Sequence, residues 1–246
     1  MSTVSTTAPD PVSNPISSAS VCAQEPSTTA NSQVEQLVAQ ARVAQAVFEA
    51  FSQEQVDVIV KGVGKFVYDN ADLLARMAVD ETGIGVYEDK ILKNKGKARV
   101  IWNSLKDKKS RGIIGEDAEA NLVFVAKPMG VVGAVTPVTN PIVTPMCNAM
   151  FALKTGNAVI FAPHPKAEKC TAYLTDAFMK VVKSHGGPDH LVQMVRNGSI
   201  ETTQELMKVV DVVVATGGGA MVKSAYSSGA DAVRRLAGRE IGRAHV

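Results

Sequence analysis

The sequence is poor in cysteine, in net charge and in long apolar runs, and each shortage excludes a class of protein. Three Cys in 246 residues are too few for a disulfide framework or a four-Cys metal site, so we expect no metal. The 26 Lys and Arg barely outnumber the 24 Asp and Glu, whereas nucleic-acid binders carry a clustered basic surplus. We therefore expect no nucleic acid as a partner. No apolar run approaches the roughly 20 residues that span a bilayer, so we expect no membrane partner either.

Residues 1–31 lack large apolar side chains and consist mainly of Ser, Thr, Ala and Pro. Burial could not offset the entropy lost on ordering such a segment, so we predict a disordered tail. The first basic residue of the chain is Arg42, which excludes the basic start of a secretory signal and an Arg-rich mitochondrial presequence. The sequence therefore predicts a cytoplasmic protein. A start codon assigned too far upstream would produce the same stretch, and this alternative stays open.

Apolar residues then recur at three- and four-residue steps, which predicts a series of helices. Their predicted starts are Ser32, the residue after Ser52, the region of Asn70, and Tyr87, and the last helix ends near Leu105. Ser52 and Gln55 form a capping-box signature, and Thr82–Gly85 ends the third helix. The Lys and Arg positions of the fourth helix predict a solvated face, with a phosphate-binding patch as the alternative.

Strand-like segments fill the rest of the chain. Two short runs come first, Gly112–Gly115 and Asn121–Ala126, and the second predicts a strand that packs on both faces or pairs with another element. Apolar, β-branched strands follow at Val131–Val135, Ala158–Phe161, Leu191–Val195 and Asp211–Ala215. The helices predicted after them are Pro141–Leu153, Lys166–Ser184, Thr202–Val209 and a segment from Gly219. This alternation predicts an α/β fold with a parallel sheet, in which ligands bind at the carboxyl ends of the strands.

Three of the loops after these strands are rich in Pro or Gly, and each opens a helix: Thr136–Pro141, Ala162–Lys166 and Thr216–Gly219. Helix N-termini offer free N–H groups and a positive dipole end, and glycines let a ligand approach the backbone. The G-x-G-x-x-G fingerprint is absent, but the loops still favour a nucleotide-binding domain. The alternatives are ordinary turns, with Asn140 as a helix cap and His164 as a turn residue.

Several collinear stretches also match a known family over roughly residues 33–229. They are Ser52–Asp57, Val86–Lys90, Thr136–Pro141, Thr155–Ala167, Ala215–Gly218 and Ala225–Gly229. The sequence resembles the CoA-acylating branch of the aldehyde dehydrogenase superfamily, such as succinate-semialdehyde dehydrogenases and the aldehyde dehydrogenase half of bifunctional alcohol/aldehyde dehydrogenases. The resemblance implies an aldehyde dehydrogenase-type, Rossmann-like cofactor-binding domain, truncated, with N-terminal helices and a parallel sheet over residues 32–229. It also implies a homo-oligomeric parent protein.

The reaction that the resemblance implies is covalent catalysis. A Cys thiolate attacks a small aldehyde, a hydride passes to NAD or NADP, and coenzyme A takes the acyl group from the resulting thioester, in a reversible sequence. Succinic semialdehyde and acetaldehyde are the candidate substrates, and the sequence does not choose between them. It also leaves NAD against NADP open, because the loop near the ribose has no diagnostic acidic residue.

The implied site residues follow from their places in the family motifs. Asn140 matches the Asn whose side-chain amide holds the substrate carbonyl oxygen, which suits an oxyanion donor. The positions beside the nicotinamide are Thr136, Pro137, Val138 and Thr139. The positions near the adenosine ribose are His164 and Pro165, and those beneath the pyrophosphate are Thr216, Gly217 and Gly218.

The family nucleophile matches no cysteine of this chain and would lie beyond its end, so we predict that these 246 residues have no dehydrogenase activity. Cys147 falls inside an apolar helix and is predicted to be a small buried hydrophobe. Cys170 lies in the next helix among Lys166, Lys169 and Thr171, and it too is predicted to be structural rather than catalytic. A hydrolytic aldehyde dehydrogenase is one alternative, although Val138 stands where that branch usually has an aromatic residue. A non-catalytic nucleotide-binding module is another.

Residues 230–246 depart from the family pattern. After Gly229 the family continues with Pro and a Gly-rich turn, whereas this chain has Ala230–Arg235. The final residues, Ile241–Val246, are the translation of a common sequencing-adapter string, ATC GGA AGA GCA CAC GTC. We therefore expect residues 230–246 to be non-native, produced by a frame slip followed by adapter sequence.

Overall fold

The computed structural model describes residues 28–229 and 231–236 and begins with a group of helices. They are α1 (Thr28–Glu49), α2 (Gln53–Asp69), α3 (Ala71–Thr82) and α4 (Tyr87–Leu105). Helix α1 therefore begins before the predicted boundary at Ser32, and residues 1–27 of the predicted tail lie outside the described residues. The bounds predicted for α4 are confirmed.

Local sequence signals explain where these helices begin and end. The capping box is confirmed: the Ser52 hydroxyl accepts the Gln55 N–H at 3.3 Å, and the Gln55 side chain accepts the Ser52 N–H at 2.8 Å. Helix α3 ends at Gly83, which has φ +66°, a left-handed conformation that glycine adopts without a steric penalty. The apolar face of α2 is fully buried against the rest of the domain at Val56, Ile59, Val60, Val63 and Val67.

The core of the domain is a parallel sheet, as predicted. Its strands are β3 (Val131–Thr136), β4 (Ala158–Pro163), β5 (Val192–Met194), β6 (Val212–Gly217) and β7 (Asp231–Leu236). Their order is β5-β4-β3-β6-β7, and every neighbouring pair is parallel. Every residue of β3 is buried, because this central strand is covered by neighbours on both sides and by helices.

The connecting helices are α5 (Val143–Lys154), α6 (Glu168–Ser184), α7 (Ile200–Val209) and α8 (Gly219–Tyr226). Helix α5 begins at Val143 rather than at Pro141, because residues 141 and 142 form a turn in which the Thr144 N–H donates to the Asn140 carbonyl at 3.3 Å. Helix α6 is preceded by a separate 3₁₀ turn, Pro165–Ala167. These differences leave the predicted strand–helix alternation intact.

The two remaining strands, β1 (Gly112–Asp117) and β2 (Leu122–Ala126), form an antiparallel hairpin outside the main sheet. The prediction that β2 pairs with another element is confirmed, and the alternative that it packs on both faces is wrong. Phe124 is 49% exposed and Val125 53% exposed. An apolar run in the sequence does not by itself distinguish a buried strand from a strand whose apolar side chains are exposed.

Side chains close the amino-terminal edge of the sheet. Asp211 accepts the Val131 N–H at 2.8 Å and a bidentate hydrogen bond from Arg42 at 2.9 and 3.1 Å. The Asn157 side-chain oxygen accepts the N–H groups of Met129 and Gly130 at 2.7 and 2.9 Å. The polar groups at this end of the sheet are thus satisfied within the protein, which leaves the carboxyl end as the place for a ligand.

Part of the segment expected to be non-native lies within the described residues, since Asp231–Leu236 form β7 beside β6. Ala230 and residues 237–246 lie outside them, and the non-native origin of residues 230–246 stays a prediction. Within the described part of the chain no helix is long and apolar enough to cross a membrane. Those same residues contain no cluster of His, Cys, Asp or Glu suited to holding a metal ion.

Candidate cofactor site

The strand order contains one point where the chain changes direction across the sheet. From β3 the chain moves to β4 and β5 on one side, and then crosses to β6 and β7 on the other. Thr136 stands opposite Pro163 of β4, and Val135 stands opposite Ala215 of β6. The three predicted loops therefore leave adjacent strands at the same edge, around the switch point where open α/β sheets bind their ligands.

Thr136 lies at the centre of this edge and carries an unsatisfied polar atom. Its carbonyl accepts the His164 N–H at 3.1 Å, which ties the ends of β3 and β4 together. Its hydroxyl is buried and has no hydrogen-bond partner among the described residues. A buried hydroxyl without a partner costs about 1–3 kcal/mol, which a polar ligand at this position would recover. The orphaned hydroxyl therefore fits a bound cofactor at the loop predicted to pass beside the nicotinamide, Thr136–Thr139.

The turn from β6 into α8 is open to a ligand. Gly218 occupies the N-cap position in an extended conformation, and no side chain caps the helix. A Cβ atom added at Gly218 or Gly219 would meet nothing within 4 Å, whereas one at Gly217 would contact Met221 at 3.4 Å. The free N–H groups at the start of α8 can thus be approached closely, which suits the pyrophosphate predicted beneath Thr216, Gly217 and Gly218.

The loop after β4 is short and well fixed. The Nδ1 atom of His164 accepts the Lys166 N–H at 3.1 Å and so caps the 3₁₀ turn Pro165–Ala167. His164, Pro165 and Lys166 are all exposed. The two residues predicted near the adenosine ribose, His164 and Pro165, therefore lie at the same sheet edge as Thr136 and present surface to solvent.

Asn140 takes part in a contact that the sequence did not reveal. Its side-chain Oδ1 accepts a hydrogen bond from the Lys93 ammonium of α4. Because a Lys ammonium can only donate, the amide oxygen of Asn140 must face Lys93, and the Nδ2 hydrogens of the same amide point away from Lys93. The signal that could have found Lys93 is its place three residues after the matched stretch Val86–Lys90, but its charge predicted only a solvated face.

Two lysines and two asparagines line a small pocket between α4 and the loop after β3: Lys90, Lys93, Asn94 and Asn140. Lys90 is 9% exposed, and its burial, together with the nearby Lys93 charge, lowers the pKa of its ammonium group. The exposed Lys93, whose ammonium contacts Asn140, brings positive charge to the pocket next to the predicted oxyanion donor.

The described cysteines are poor candidates for a nucleophile. Cys170 is fully buried, and both its burial and the neighbouring Glu81 raise the pKa of its thiol. A raised pKa removes the thiolate that nucleophilic attack requires. Cys147 is half-buried on α5 rather than fully buried as predicted, because its position on that helix reaches the edge of the core. The sequence-based view that neither is the family nucleophile stays a prediction.

The sequence matches a known family and several characterised proteins. The sequence model of the aldehyde dehydrogenase family matches residues 4–242. A succinate-semialdehyde dehydrogenase (acetylating) of Clostridium kluyveri is 55% identical over 196 residues, which are 80% of this chain and 43% of that protein. A sulfoacetaldehyde dehydrogenase of an Acholeplasma species is 47% identical over 197 residues, which are 79% of this chain and 41% of that protein. The chain thus spans less than half the length of these curated relatives.

Solved structures of the same kind superpose on the chain. An acetylating aldehyde dehydrogenase from Geobacillus thermoglucosidasius superposes with a TM-score of 0.81 at 39% identity. The match covers 83% of this chain and 46% of that protein's chain. An engineered glycolyl-CoA reductase with bound NADP+ has a TM-score of 0.71 at 32% identity, with 83% and 46% covered. A Rhodopseudomonas palustris propionaldehyde dehydrogenase with bound CoA and an acylated Cys has a TM-score of 0.71 at 33% identity, with 82% and 46% covered.

Proposed function

The chain belongs to the aldehyde dehydrogenase family, and on that premise we propose that it is the cofactor-binding part of a CoA-acylating enzyme. The proposed reaction is the oxidation of a small aldehyde to an acyl-CoA with NAD or NADP. The observation that carries the proposal is the meeting of three loops, after β3, β4 and β6, at the switch point of the sheet. The neighbour with bound NADP+ and the neighbour with bound CoA support both co-substrates.

The residues proposed to hold the dinucleotide divide along the edge of the sheet. Thr136, Pro137, Val138 and Thr139 would pass beside the nicotinamide, where the Thr136 hydroxyl lacks a partner among the described residues. The turn Thr216–Gly218, with the open start of α8, would take the pyrophosphate, and His164 and Pro165 would contact the ribose. When bound, the nicotinamide supplies a hydride acceptor, while these residues orient it and exclude water.

Asn140 is proposed to donate its amide hydrogen to the oxygen of the reacting carbonyl. Negative charge develops on that oxygen when a thiolate attacks, and a fixed amide donor stabilises it. The Lys93 contact supports this role because it directs the Nδ2 donors away from α4. The Lys93 ammonium adds positive charge near the same position, which favours succinic semialdehyde, with its carboxylate, over acetaldehyde.

The nucleophilic cysteine is proposed to come from sequence that this chain does not contain. The raised pKa of Cys170 argues against a thiolate there, and Cys147 of α5 does not match the nucleophile motif of the family. The 246 residues alone are then a cofactor-binding module without dehydrogenase activity, and the acyl transfer to CoA belongs to the whole enzyme.

The hairpin supports a proposal that the whole enzyme is a homo-oligomer. Its apolar side chains Ile113, Leu122, Val123 and Phe124 are about half exposed. Leu122, Val123 and Phe124 follow one another along β2, so the hairpin exposes apolar side chains on both faces, and such a surface is typical of a protein–protein interface. Such an interface would cover it in the assembled enzyme.

The experiment that tests the cofactor proposal is a fluorescence titration of the 246-residue chain with NADH and NADPH. We expect saturable binding of at least one of them, and we expect the Gly218→Val variant to lose it, because the added side chain projects into open space at the start of α8. The matched control is Gly96→Val, on the exposed side of α4, where an added Cβ also meets nothing within 4 Å. Absence of binding by the folded wild-type chain would refute the proposal.

A further inference from the structure

Lys90 is a buried lysine that lines a pocket and has no counter-ion. It is 9% exposed, and it shares the small pocket between α4 and the loop after β3 with Asn140. Within the part of the chain that the structure describes, its amino group forms neither an ion pair nor a hydrogen bond. Because lysine is almost never buried without a partner, this amine is a candidate for a reaction rather than for a structural contact.

The turn before α4 leaves space for the Lys90 side chain. Gly85 has φ +87°, and a Cβ atom at that position would lie 2.9 Å from the Lys90 Cε atom and 3.4 Å from its Nζ atom. A glycine is therefore required there both by the left-handed backbone and by the buried lysine. Asn94, on the same wall of the pocket, is fixed by its own hydrogen bond, which it donates to the Ala71 carbonyl at 3.3 Å.

The groups that face the Lys90 amine favour its uncharged form. Burial, and then the Lys93 cation three residues along α4, lower the pKa of Lys90. Cys170 of α6 lies near the amine, but the pKa of its thiol is raised, so it brings no negative charge. Glu81, which contacts Cys170, accepts the backbone N–H groups of Lys169 and Cys170, each at 2.7 Å. A lysine that is desolvated beside another cation is the environment that makes an amine nucleophilic.

We propose that the Lys90 amine forms a reversible imine with a short aldehyde, so that the pocket is an aldehyde-reactive site separate from the thiolate chemistry of the whole enzyme. The Nζ atom attacks the carbonyl carbon and forms the C–N bond, while the π electrons of the carbonyl move to its oxygen. Both protons of the amine then leave with that oxygen as water, which yields the C=N bond without an oxidant or a further reactant. The inference takes only its ligand class, an aldehyde, from the proposed function, since the imine needs neither the dinucleotide nor CoA.

The test is reductive trapping of the 246-residue chain with acetaldehyde and cyanoborohydride at about pH 7, followed by peptide mass spectrometry. Cyanoborohydride reduces the imine to a secondary amine and leaves an ethyl group on each lysine that has reacted. At low aldehyde concentration and short times, we expect Lys90 to be ethylated severalfold faster than Lys97, which is exposed on the same helix. The physical reason is that an exposed lysine side chain is in general almost entirely protonated near pH 7.

Two comparisons separate the missing counter-ion from burial alone. Lys154 is also buried, at 2% exposure, but it pairs with Asp57, so it should stay unmodified in the folded chain. Lys93→Met removes the neighbouring cation and should slow the ethylation of Lys90, whereas Lys97→Met, the matched control on α4, should not.

Ethylation of Lys90 no faster than that of Lys97 would overturn the inference. Equal ethylation of Lys90 and Lys154 would also overturn it, because the absence of a carboxylate partner would then play no part. A chain that fails to bind either dinucleotide would refute the proposed cofactor site and leave the result at Lys90 standing.

Discussion

Lys93 and Asn140 are 47 residues apart in the sequence, and the Lys93 ammonium donates to the Asn140 side-chain oxygen. The contact fixes which end of the amide faces α4, because an ammonium cannot accept a hydrogen bond. It joins the helical lead-in to the loop after the central strand, so the orientation of the proposed oxyanion donor depends on a helix outside the sheet.

We predict that Lys93→Met frees the Asn140 amide. In a ¹⁵N–¹H correlation spectrum of the side-chain amides, the Asn140 pair should move toward the position of a freely rotating Asn, and Asn140→Asp identifies the pair by its disappearance. The loss in stability should stay below about 1 kcal/mol, since Lys93 is exposed. Lys97→Met, on the same helix and also exposed, is the control. An unchanged Asn140 signal in Lys93→Met would contradict the proposed orientation.

A buried ion pair is expected to be the most sensitive polar contact of the core. Lys154 is 2% exposed and its ammonium contacts Asp57 of α2. Asp57→Asn leaves that ammonium buried without its counter-charge and should lower the free energy of unfolding by about 3 kcal/mol. Lys154→Met should cost less, because it removes the buried charge itself.

Urea denaturation measures both variants of this pair. The comparison is Asp69→Asn, which breaks the exposed Lys65–Asp69 pair and should cost no more than about 0.5 kcal/mol. Equal losses at Asp57 and Asp69 would show that burial of Lys154 does not govern the effect.

Cys170 is expected to resist alkylation in the native chain. Its thiol is buried, and burial and Glu81 raise its pKa, so little thiolate forms at pH 8. Since the pKa is higher in the folded than in the unfolded state, this thiol contributes stability at neutral pH, and the contribution falls as the pH rises through the range where an unfolded Cys ionises. Iodoacetamide labelling followed by peptide mass spectrometry should modify Cys170 only after urea is added. Rapid labelling of Cys170 without denaturant would contradict its burial.

The 246-residue chain is expected to bind its cofactor without turning over. With an aldehyde, CoA and NAD+ or NADP+, we predict no increase in absorbance at 340 nm, because the pKa of Cys170 is raised and Cys147 does not match the nucleophile motif of the family. Turnover that disappears in Cys147→Ser or Cys170→Ser would show that the chain supplies its own nucleophile.

Periodicity and turn chemistry predict most of this fold. The Ser52 capping box, the bounds of α4 and the four predicted parallel strands all appear in the structure, because each depends on residues close in sequence. Pro141 misled the prediction of α5, since a proline fits both the first helical position and the turn that precedes it. The exposure of β2 could not be inferred, because an apolar run carries no information about which surface covers it.

In the candidate site, too, some features follow from local sequence and others depend on tertiary packing. That the loops with Thr136, His164 and Gly217 lie at one edge follows from parallel strand order, which the sequence predicts. The Lys93–Asn140 contact and the engagement of Glu168 by the Asn197 N–H could not be predicted, because both join distant segments whose packing is tertiary.

Amide chemical-shift mapping during a titration with NADPH shows whether the three loops at one sheet edge form a single dinucleotide site. We predict that shifts concentrate in Thr136–Asn140, His164–Lys166 and Thr216–Gly219, while the opposite edge, at Gly130 and Asp211, stays unchanged. Shifts confined to one loop, or centred on the amino-terminal edge or the β1–β2 hairpin, would contradict it.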